Sequence, residues 1–138
     1  MSNIIKKALA SAALVAICAT AMAQIQISPS SPSLLAEGRT ILKGDTIHFC
    51  YPGTAFTLKF SGSGSVSARL KANAGYYGVS VDGGAFTKIS TFGYDDGARD
   101  FEIAAGLSSG IHTIKLMLLT EELYRFPEFH GFTISDSQ

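Results

Sequence analysis

Apolar and polar residues alternate along most of the chain. In AFTLKF (55–60) the aromatic and leucine side chains occupy every second position, and SVSARLK (65–71) and YGVSVD (77–82) alternate in the same way. Because successive side chains leave opposite faces of a strand, this pattern predicts half-buried β-strands. No segment after residue 23 has a sustained helical period with caps at both ends. Only TEELYRF (120–126) is expected to form a helical turn.

Small and turn-forming residues separate the predicted strands. Asp82-Gly83 favours a tight hairpin, because both positions accept a positive φ at little cost. The glycine-rich segments 61–64 and 106–110 are interpreted as a hairpin turn and as a loop before a long apolar strand. About eight short strands joined by such turns predict an all-β protein. We expect a single jelly-roll or β-sandwich domain of the galactose-binding-like type over residues 38–138.

The first 23 residues have the features of a secretory signal peptide. Lys6 and Lys7 precede a short apolar run, and Ala21-Met22-Ala23 fits a cleavage site before Gln24. No apolar run reaches the length of a membrane span, so no span is expected. The protein is therefore predicted to be exported, to the periplasm or the extracellular space. A serine- and proline-rich N-terminal segment, residues 24–37, follows the signal.

Composition limits the remaining functions. After the signal, eleven acidic residues outnumber nine basic ones, and no basic block is present, so nucleic acid is not an expected partner. The one remaining cysteine, Cys50, can form neither an internal disulfide nor a cysteine zinc site. It is interpreted as a buried free thiol in a strand, and the alternative is a reactive or dimer-forming thiol.

The three histidines have no metal-binding spacing, so no metal or other cofactor is expected. His112 shares a strand face with a run of apolar residues and is interpreted as a hydrogen-bonded core histidine. The same interpretation is given to His48. His130 lies near the C-terminus and is expected to be accessible.

No catalytic group stands out. Gly62-Ser63-Gly64 lies between two predicted strands and lacks the glycine spacing of a nucleophile elbow. Glu121 and Glu122 are adjacent, so on a strand they point to opposite faces and do not form a pair that flanks a glycosidic bond. They are expected to end the strand in water or to cap a neighbouring turn.

A tyrosine-rich loop is the candidate for sugar contact. Flat aromatic faces pack on the apolar side of a pyranose, and neighbouring polar groups bind its hydroxyls. TFGYDDGARD (91–100) is predicted to be exposed, and Tyr76 is the one of two adjacent tyrosines that should face outward. The alternative is a solvated loop without a ligand, and the absence of tryptophan favours that alternative. The glycan-contact candidates are Tyr76, Tyr94, Asp95, Asp96 and Arg99.

The order of several motifs resembles a known family. The motifs are GRT (38–40), FCYPGTAFTLKFSGS (49–63), YYGVSVDGG (76–84), GLSSGIHTIKLMLLTE (106–121) and FHGFTI (129–134). Together they resemble the N-terminal jelly-roll domain of carbohydrate esterase family two, the acetyl-xylan esterase-like deacetylases. In that family the jelly roll precedes an SGNH-type hydrolase domain, whose Gly-Asp-Ser block and distant histidine are not found in this sequence. The resemblance therefore carries over no catalytic residue.

This sequence departs from the family pattern at two places. Leu118 and Leu119 stand where family members usually carry basic residues, and Tyr51-Pro52-Gly53-Thr54 replaces an aromatic residue followed by Ser-Gly-Ser.

Three functions remain open. The first is a non-catalytic accessory domain of a carbohydrate deacetylase, with weak contact to a plant-type polysaccharide and a separate SGNH hydrolase domain as partner. The second is a fragment of an active polysaccharide O-deacetylase. The third is a structural or interaction module at the cell surface.

Overall fold

The computed structural model describes residues 23–136, which form nine β-strands and no helix. The strands are β1 Ala23–Ile27, β2 Leu34–Glu37, β3 Ile41–Lys43, β4 Thr46–His48, β5 Ala55–Lys71, β6 Tyr76–Val81, β7 Thr87–Ser90, β8 Ala98–Leu118 and β9 Glu128–Asp136. The predicted signal peptide lies outside the described residues except for Ala23. Within the described part of the chain, no helix could cross a membrane.

All strand pairs are antiparallel, and two long strands organise them. The hydrogen-bonded order is β3-β4-β9-β5-β8-β6-β7, with β1 on β9 and β2 on β5. β5 and β8 pair along the whole of β5, from Ala55 opposite Met117 to Lys71 opposite Ala98. The N-terminal part of β5 has β2 on its other side, whereas its C-terminal part has β9. The segment at 24–37 thus supplies two strands, β1 and β2, to the same sheet.

The two parts of the sheet face each other as the layers of a sandwich. Phe56, in the N-terminal part of β5, stacks on Phe129 of β9 with ring centroids 4.2 Å apart and planes inclined by 9°. Phe49 meets Phe56 edge-on at 5.1 Å. This arrangement confirms the predicted all-β sandwich, with the core between the layers.

The two glycine-rich segments lie inside strands, so the predicted turn at 61–64 and the predicted loop at 106–110 are wrong. Gly62 is paired with Gly110, and the register of β5 against β8 shifts on both sides of Gly64. A strand that continues from one layer into the other must bend, and bulges with glycine allow that bend. The positive φ of 96° at Gly64 and of 65° at Gly106 is consistent with this role.

The alternating pattern of the sequence correctly identifies the core. The fully buried apolar side chains include every second residue of the C-terminal part of β5, at 0 % exposure for Val66, Ala68 and Leu70. Tyr77 and Val79 on β6 are also buried, as predicted. The segment 119–127 has no regular structure, so the expected helical turn in TEELYRF is absent.

Two side chains expected in the core lie elsewhere. Cys50 is only partly buried, and it follows β4 in an irregular segment rather than lying in a strand. His48, at the end of β4, is half-buried beside a surface cleft. In both cases β4 is only three residues long and lies near the edge of the sheet, so its outward side chains are not covered.

The predicted β6–β7 hairpin forms, but it is not tight, because its last strand pair is Val79 with Thr87 and residues 80–86 connect the paired parts. Asp82 and Gly83 both have positive φ, 51° and 74°, and the amide of Gly84 donates to the carbonyl of Val81. Two consecutive positive φ values match the hairpin turn that Asp-Gly favours. The Asp82 side chain then reaches β8, where its Oδ1 accepts a hydrogen bond from the Thr113 amide at 2.8 Å.

His112 is the hydrogen-bonded core histidine that the sequence predicts. Its Nδ1 lies 2.7 Å from Asp82 Oδ2, and its Nε2 lies 2.6 Å from the carbonyl oxygen of Ser108. Both partners accept hydrogen bonds, so the ring fits best when both nitrogens carry a proton. These hydrogen bonds raise the pKa of His112 above its ordinary value. The bond from His112 lowers the pKa of Asp82, and the Thr113 amide adds to this effect.

Thermal stability should depend on this pair in a defined pH window. Because the pKa of His112 is raised in the folded protein, its contribution to stability is lost as pH rises through its folded-state pKa. Because the pKa of Asp82 is lowered in the folded protein, its contribution to stability is lost as pH falls through its own folded-state pKa. The full contribution lies between the ordinary values, about 3.9 for Asp and 6.5 for His. We expect the Tm to fall from pH 6 to pH 9, and to fall less in Asp82→Asn. Equal pH profiles of Tm for the parent protein and Asp82→Asn would contradict this assignment. Because both proteins contain His48 and His130, the contributions of these residues to the pH dependence cancel in the comparison.

Tyr77 is buried without a partner for its hydroxyl. The ring is 0 % exposed, and its oxygen has no hydrogen-bond partner among the described residues. Burial strongly raises the pKa of Tyr77, and the negative charge of Glu122 adds to the shift. The hydroxyl therefore remains neutral, and its desolvation is not compensated by a bond.

Replacing Tyr77 by phenylalanine should keep or increase stability. Removing an unsatisfied buried hydroxyl recovers up to about 1–2 kcal/mol of desolvation cost. Urea unfolding of Tyr77→Phe measures the change, and Tyr76→Phe on the same strand is the matched control, expected within about 0.5 kcal/mol of the parent. A clear loss of stability in Tyr77→Phe would show that the hydroxyl has a partner in solution.

Candidate glycan-contact site

The sugar-contacting loop was predicted at 91–100, but in the structure it ends at Gly97, and residues 98–100, with Arg99, begin β8. The loop from Thr91 to Gly97 is firmly anchored, and Thr91 is buried rather than exposed. The buried Thr91 hydroxyl donates to the carbonyl of Gly75 at 2.7 Å and accepts from the amide of Ala74 at 3.0 Å. Asn73 holds the next part of the loop, since its Oδ1 accepts from the Gly93 amide at 3.1 Å. These bonds give the loop a fixed conformation.

Tyr94 and Arg99 come together, but against each other. The Arg99 guanidinium carbon lies 3.9 Å from the centroid of the Tyr94 ring, in cation–π geometry. The other contact of Tyr94 is edge-on to Phe101 at 5.2 Å. Tyr94 is 42 % exposed, yet one of its faces is already occupied. A sugar that stacks on that face would have to displace Arg99.

Tyr76 belongs to a different cluster. The Lys88 amine lies 4.1 Å from its ring centroid, and Phe92 packs against it at 5.1 Å. Within residues 23–136, the Tyr76 ring makes no aromatic stacking with Tyr94 and no cation–π contact with Arg99. The five candidates therefore do not form one continuous site.

The two aspartates of the loop also separate. Asp95 is exposed. Asp96 turns back toward Asn73, whose Nδ2 donates to Asp96 Oδ1 at 2.9 Å and to the carbonyl of Tyr94 at 2.7 Å. Asp96 thereby lines a polar cavity of about 530 Å³, together with Lys71, Ala72, Asn73, Tyr124 and Arg125.

Tyr124 is the residue that sequence reasoning missed. At 94 % exposure it is the most exposed large aromatic side chain of the described residues, and it stands at the edge of the polar cavity. The neighbouring Arg125 donates to the carbonyl of Asn73 at 3.4 Å, which brings the 119–127 segment to the 91–97 loop. The dipeptide Tyr124-Arg125 combines an aromatic ring with a hydrogen-bond donor, which is the combination that sugar binding uses. Its proximity to Asp96 could not be predicted from the sequence, because it depends on the pairing of distant strands.

The polar cavity offers the elements of a sugar-binding site. Its residues supply an acceptor at Asp96, donors at Lys71 and Arg125, and an uncovered ring at Tyr124. Lys71 also forms an ion pair with Glu128 at 3.8 Å. Asp96 and Arg125 present planar groups that can each bind two hydroxyls. We call these residues, with Asn73, the Tyr124 cavity.

The two adjacent glutamates lie in the loop after β8. Glu121 is exposed, and Glu122 accepts a hydrogen bond from the Thr120 hydroxyl at 3.1 Å in the loop after β8, as expected for residues that end the strand. No group of three or more His, Cys, Asp or Glu side chains in residues 23–136 is arranged to hold a metal ion.

Solved structures share this fold. A family two carbohydrate esterase from Cellvibrio japonicus superimposes with a TM-score of 0.69 at 21 % identity, covering 86 % of this chain and 35 % of the esterase. A two-domain esterase active on acetylated mannans, co-crystallised with mannopentaose, gives 0.69 at 14 % identity over 83 % of this chain and 37 % of that one. An acetyl xylan esterase from the rumen bacterium Butyrivibrio proteoclasticus gives 0.68 at 15 % identity, over 86 % and 33 %.

The fold is shared with only part of each esterase. A sequence comparison with curated proteins gives no match. The chain spans about a third of the length of the esterases that it superimposes on. The family model described as "Carbohydrate esterase 2 N-terminal" matches residues 36–138. The chain therefore belongs to the family of N-terminal domains of carbohydrate esterase 2.

Proposed function

We propose that this protein is an exported, non-catalytic accessory domain of an acetyl-xylan esterase-like carbohydrate deacetylase, and that it contacts glycan weakly. The family membership carries the proposal, because the esterases that share the fold are about three times longer than the matched region. The signal-like N-terminus supports export. A separate SGNH hydrolase domain supplies the nucleophile in this scheme.

The Tyr124 cavity supports the glycan contact better than Tyr94 does. Tyr124 keeps both ring faces open at 94 % exposure, whereas Arg99 covers one face of Tyr94. A volume of about 530 Å³ is that of a small-ligand site. Two structural relatives were crystallised with oligosaccharides, mannopentaose in one and cellohexaose in the other. A soluble plant-type polysaccharide such as glucomannan is therefore the first ligand to test.

Tyr124→Ala should weaken glucomannan binding about fivefold or more. An aromatic platform contributes on the order of 1 kcal/mol to such a contact. Affinity electrophoresis in gels with and without glucomannan measures the change. Leu123→Ala, at an exposed side chain next to Tyr124 that does not line the cavity, is the matched control and should migrate like the parent. Tyr94→Ala should weaken glucomannan binding less than Tyr124→Ala does.

Two results would contradict glycan contact at this site. One is the absence of retardation of the parent protein by any soluble glycan. The other is retardation that persists in Tyr124→Ala but is lost in Tyr94→Ala, which would move the contact to the 91–97 loop. Absence of glycan binding combined with a stable homo-oligomer would favour a structural or interaction module instead.

The hydrolase partner is tested separately. The nucleotide sequence beyond the codon for Gln138 should encode a Gly-Asp-Ser block and a later histidine, in the same frame or in a neighbouring one. The present chain alone should release no acetate from acetylated xylan, and activity should require the hydrolase part. A hydrolase part in the same frame would favour the alternative that this chain is a fragment of an active O-deacetylase. Acetate release by the present chain alone would overturn the accessory role.

A further inference from the structure

A second cleft lies beside the β3–β4 hairpin and is separate from the Tyr124 cavity. Its volume is about 620 Å³, and it is bounded by Arg39, Ile41, Lys43, His48, Tyr51 and Phe126. Clefts of a few hundred cubic ångströms with apolar walls and a few polar groups are typical small-molecule sites. We call it the Arg39 cleft.

The walls of the Arg39 cleft are held in place by hydrogen bonds to backbone carbonyls. Tyr51 begins a turn with Pro52 and Gly53 at its centre, and the positive φ of 88° at Gly53 is the value that this turn type requires. The Thr54 hydroxyl closes the turn by donating to the carbonyl of Tyr51 at 2.8 Å. The amide of Phe49 donates to the carbonyl of Pro127 at 3.4 Å, which fixes the wall that carries Phe126. The cleft is thus formed before any ligand binds.

The cleft is lined by cationic and apolar side chains, and no acidic residue is among those that bound it. Within residues 23–136, neither Arg39 nor Lys43 lies in ion-pair distance of a carboxylate. The carboxylates on neighbouring strands are engaged elsewhere, Glu128 by Lys71 at 3.8 Å and His130 at 3.3 Å, and Glu37 by Lys115 at 4.0 Å. The Arg39 guanidinium carbon lies 5.7 Å from the Tyr51 ring, so its charge is directed over an aromatic wall.

We propose that the Arg39 cleft binds a small ligand with an aromatic body and one carboxylate. The apolar body packs between Ile41, Tyr51 and Phe126, and the carboxylate meets Arg39 and Lys43. Arginine matches a carboxylate with two parallel hydrogen bonds, and removing apolar surface from water supplies the remaining driving force. The proposal does not depend on glycan binding, since none of these residues lines the Tyr124 cavity.

Naphthalene-2-carboxylate and its neutral carboxamide are suitable probes. Each is titrated into the ¹⁵N-labelled protein, and amide shifts are followed by NMR. We expect saturable shifts at Thr40, Cys50 and Tyr51, and a Kd for the carboxylate about fivefold lower than that for the carboxamide. Arg39→Gln should remove most of this preference, and Lys43→Gln should reduce it. Lys59→Gln, an exposed lysine on β5, is the matched control and should retain it.

Three results would overturn the proposal. They are no saturable shift at the cleft amides, equal affinity for the two probes, and an unchanged preference in a folded Arg39→Gln/Lys43→Gln protein. The comparison of the two probes on the parent protein decides the question even if a variant does not fold. Tyr124→Ala should leave the Kd for naphthalene-2-carboxylate unchanged, because Tyr124 does not line the Arg39 cleft. If the same variant loses glycan binding, that result concerns the Tyr124 cavity and does not affect the proposal for the Arg39 cleft.

Discussion

Phe56→Ala should destabilise the protein by about 3–5 kcal/mol, the range for removing a buried phenylalanine. Phe56 is 0 % exposed, stacks on Phe129 at 4.2 Å and meets Phe49 edge-on at 5.1 Å. Phe56 therefore links the two layers. The neighbouring strands could close the cavity left by the substitution only by breaking their interstrand hydrogen bonds. Against a total stability of about 5–15 kcal/mol, the variant would unfold at much lower urea concentration.

Tyr124→Ala is the control for Phe56→Ala, and its midpoint of urea unfolding should stay within about 0.5 kcal/mol of the parent. The double variant Phe56→Ala/Phe129→Ala should cost less than the sum of the single variants, because the stacked pair is lost only once. A cost below about 1 kcal/mol for Phe56→Ala would mean that the two layers are not packed as described.

Gly131→Ala should be much more destabilising than the chemically identical change at Gly97. The two glycines have nearly the same positive φ, 114° and 116°. A Cβ at Gly131 would collide with the backbone carbonyl oxygen of Ile27, whereas a Cβ at Gly97 would meet nothing within 4 Å. Backbone strain alone costs about 1–2 kcal/mol at either site. The collision should add about 1–3 kcal/mol at Gly131, because backbone cannot rotate away as a side chain can.

Urea unfolding of the two variants measures this difference directly. Hydrogen exchange at Ile25 and Ile27 should also become faster in Gly131→Ala, since β1 must move away from β9 to make room. Equal losses of stability in the two variants, with β1 amides still protected, would show that Gly131 tolerates a side chain there.

The fold class was predictable from sequence because its signal is local. Alternation within 55–60, 65–71 and 77–82 identified strands whose inward residues are mostly buried, and Asp82-Gly83 identified the turn between β6 and β7. The glycine-rich segments were misinterpreted for a physical reason. A glycine in a turn and a glycine in a bulge look the same along the chain, and only the partner strand distinguishes them. Here the partner of Gly62 is Gly110, far away in sequence.

The candidate sites were less predictable, because they depend on which distant segments meet. Tyr94 and Arg99 lie in contact, but that contact uses the ring face that a sugar would need. Tyr124 comes near Asp96 because the neighbouring Arg125 donates to the carbonyl of Asn73 and lies 5.9 Å from the Phe92 ring. The Arg39 cleft arises in the same way, from the approach of residues 38–51 to Phe126.

The last strand has a consequence for the order of folding. β9 pairs with β1, β4 and β5. Until residues 128–136 arrive, β1 therefore has no partner strand, and β4 and the C-terminal part of β5 each have one unpaired edge. Pairing across such separations closes large loops, which makes folding slow. A chain interrupted before Glu128 would leave these strand edges open, and such edges recruit other chains. During synthesis from the N-terminus, the second layer therefore cannot be completed before β9 has been made. The nascent protein should remain prone to aggregation until that strand is available.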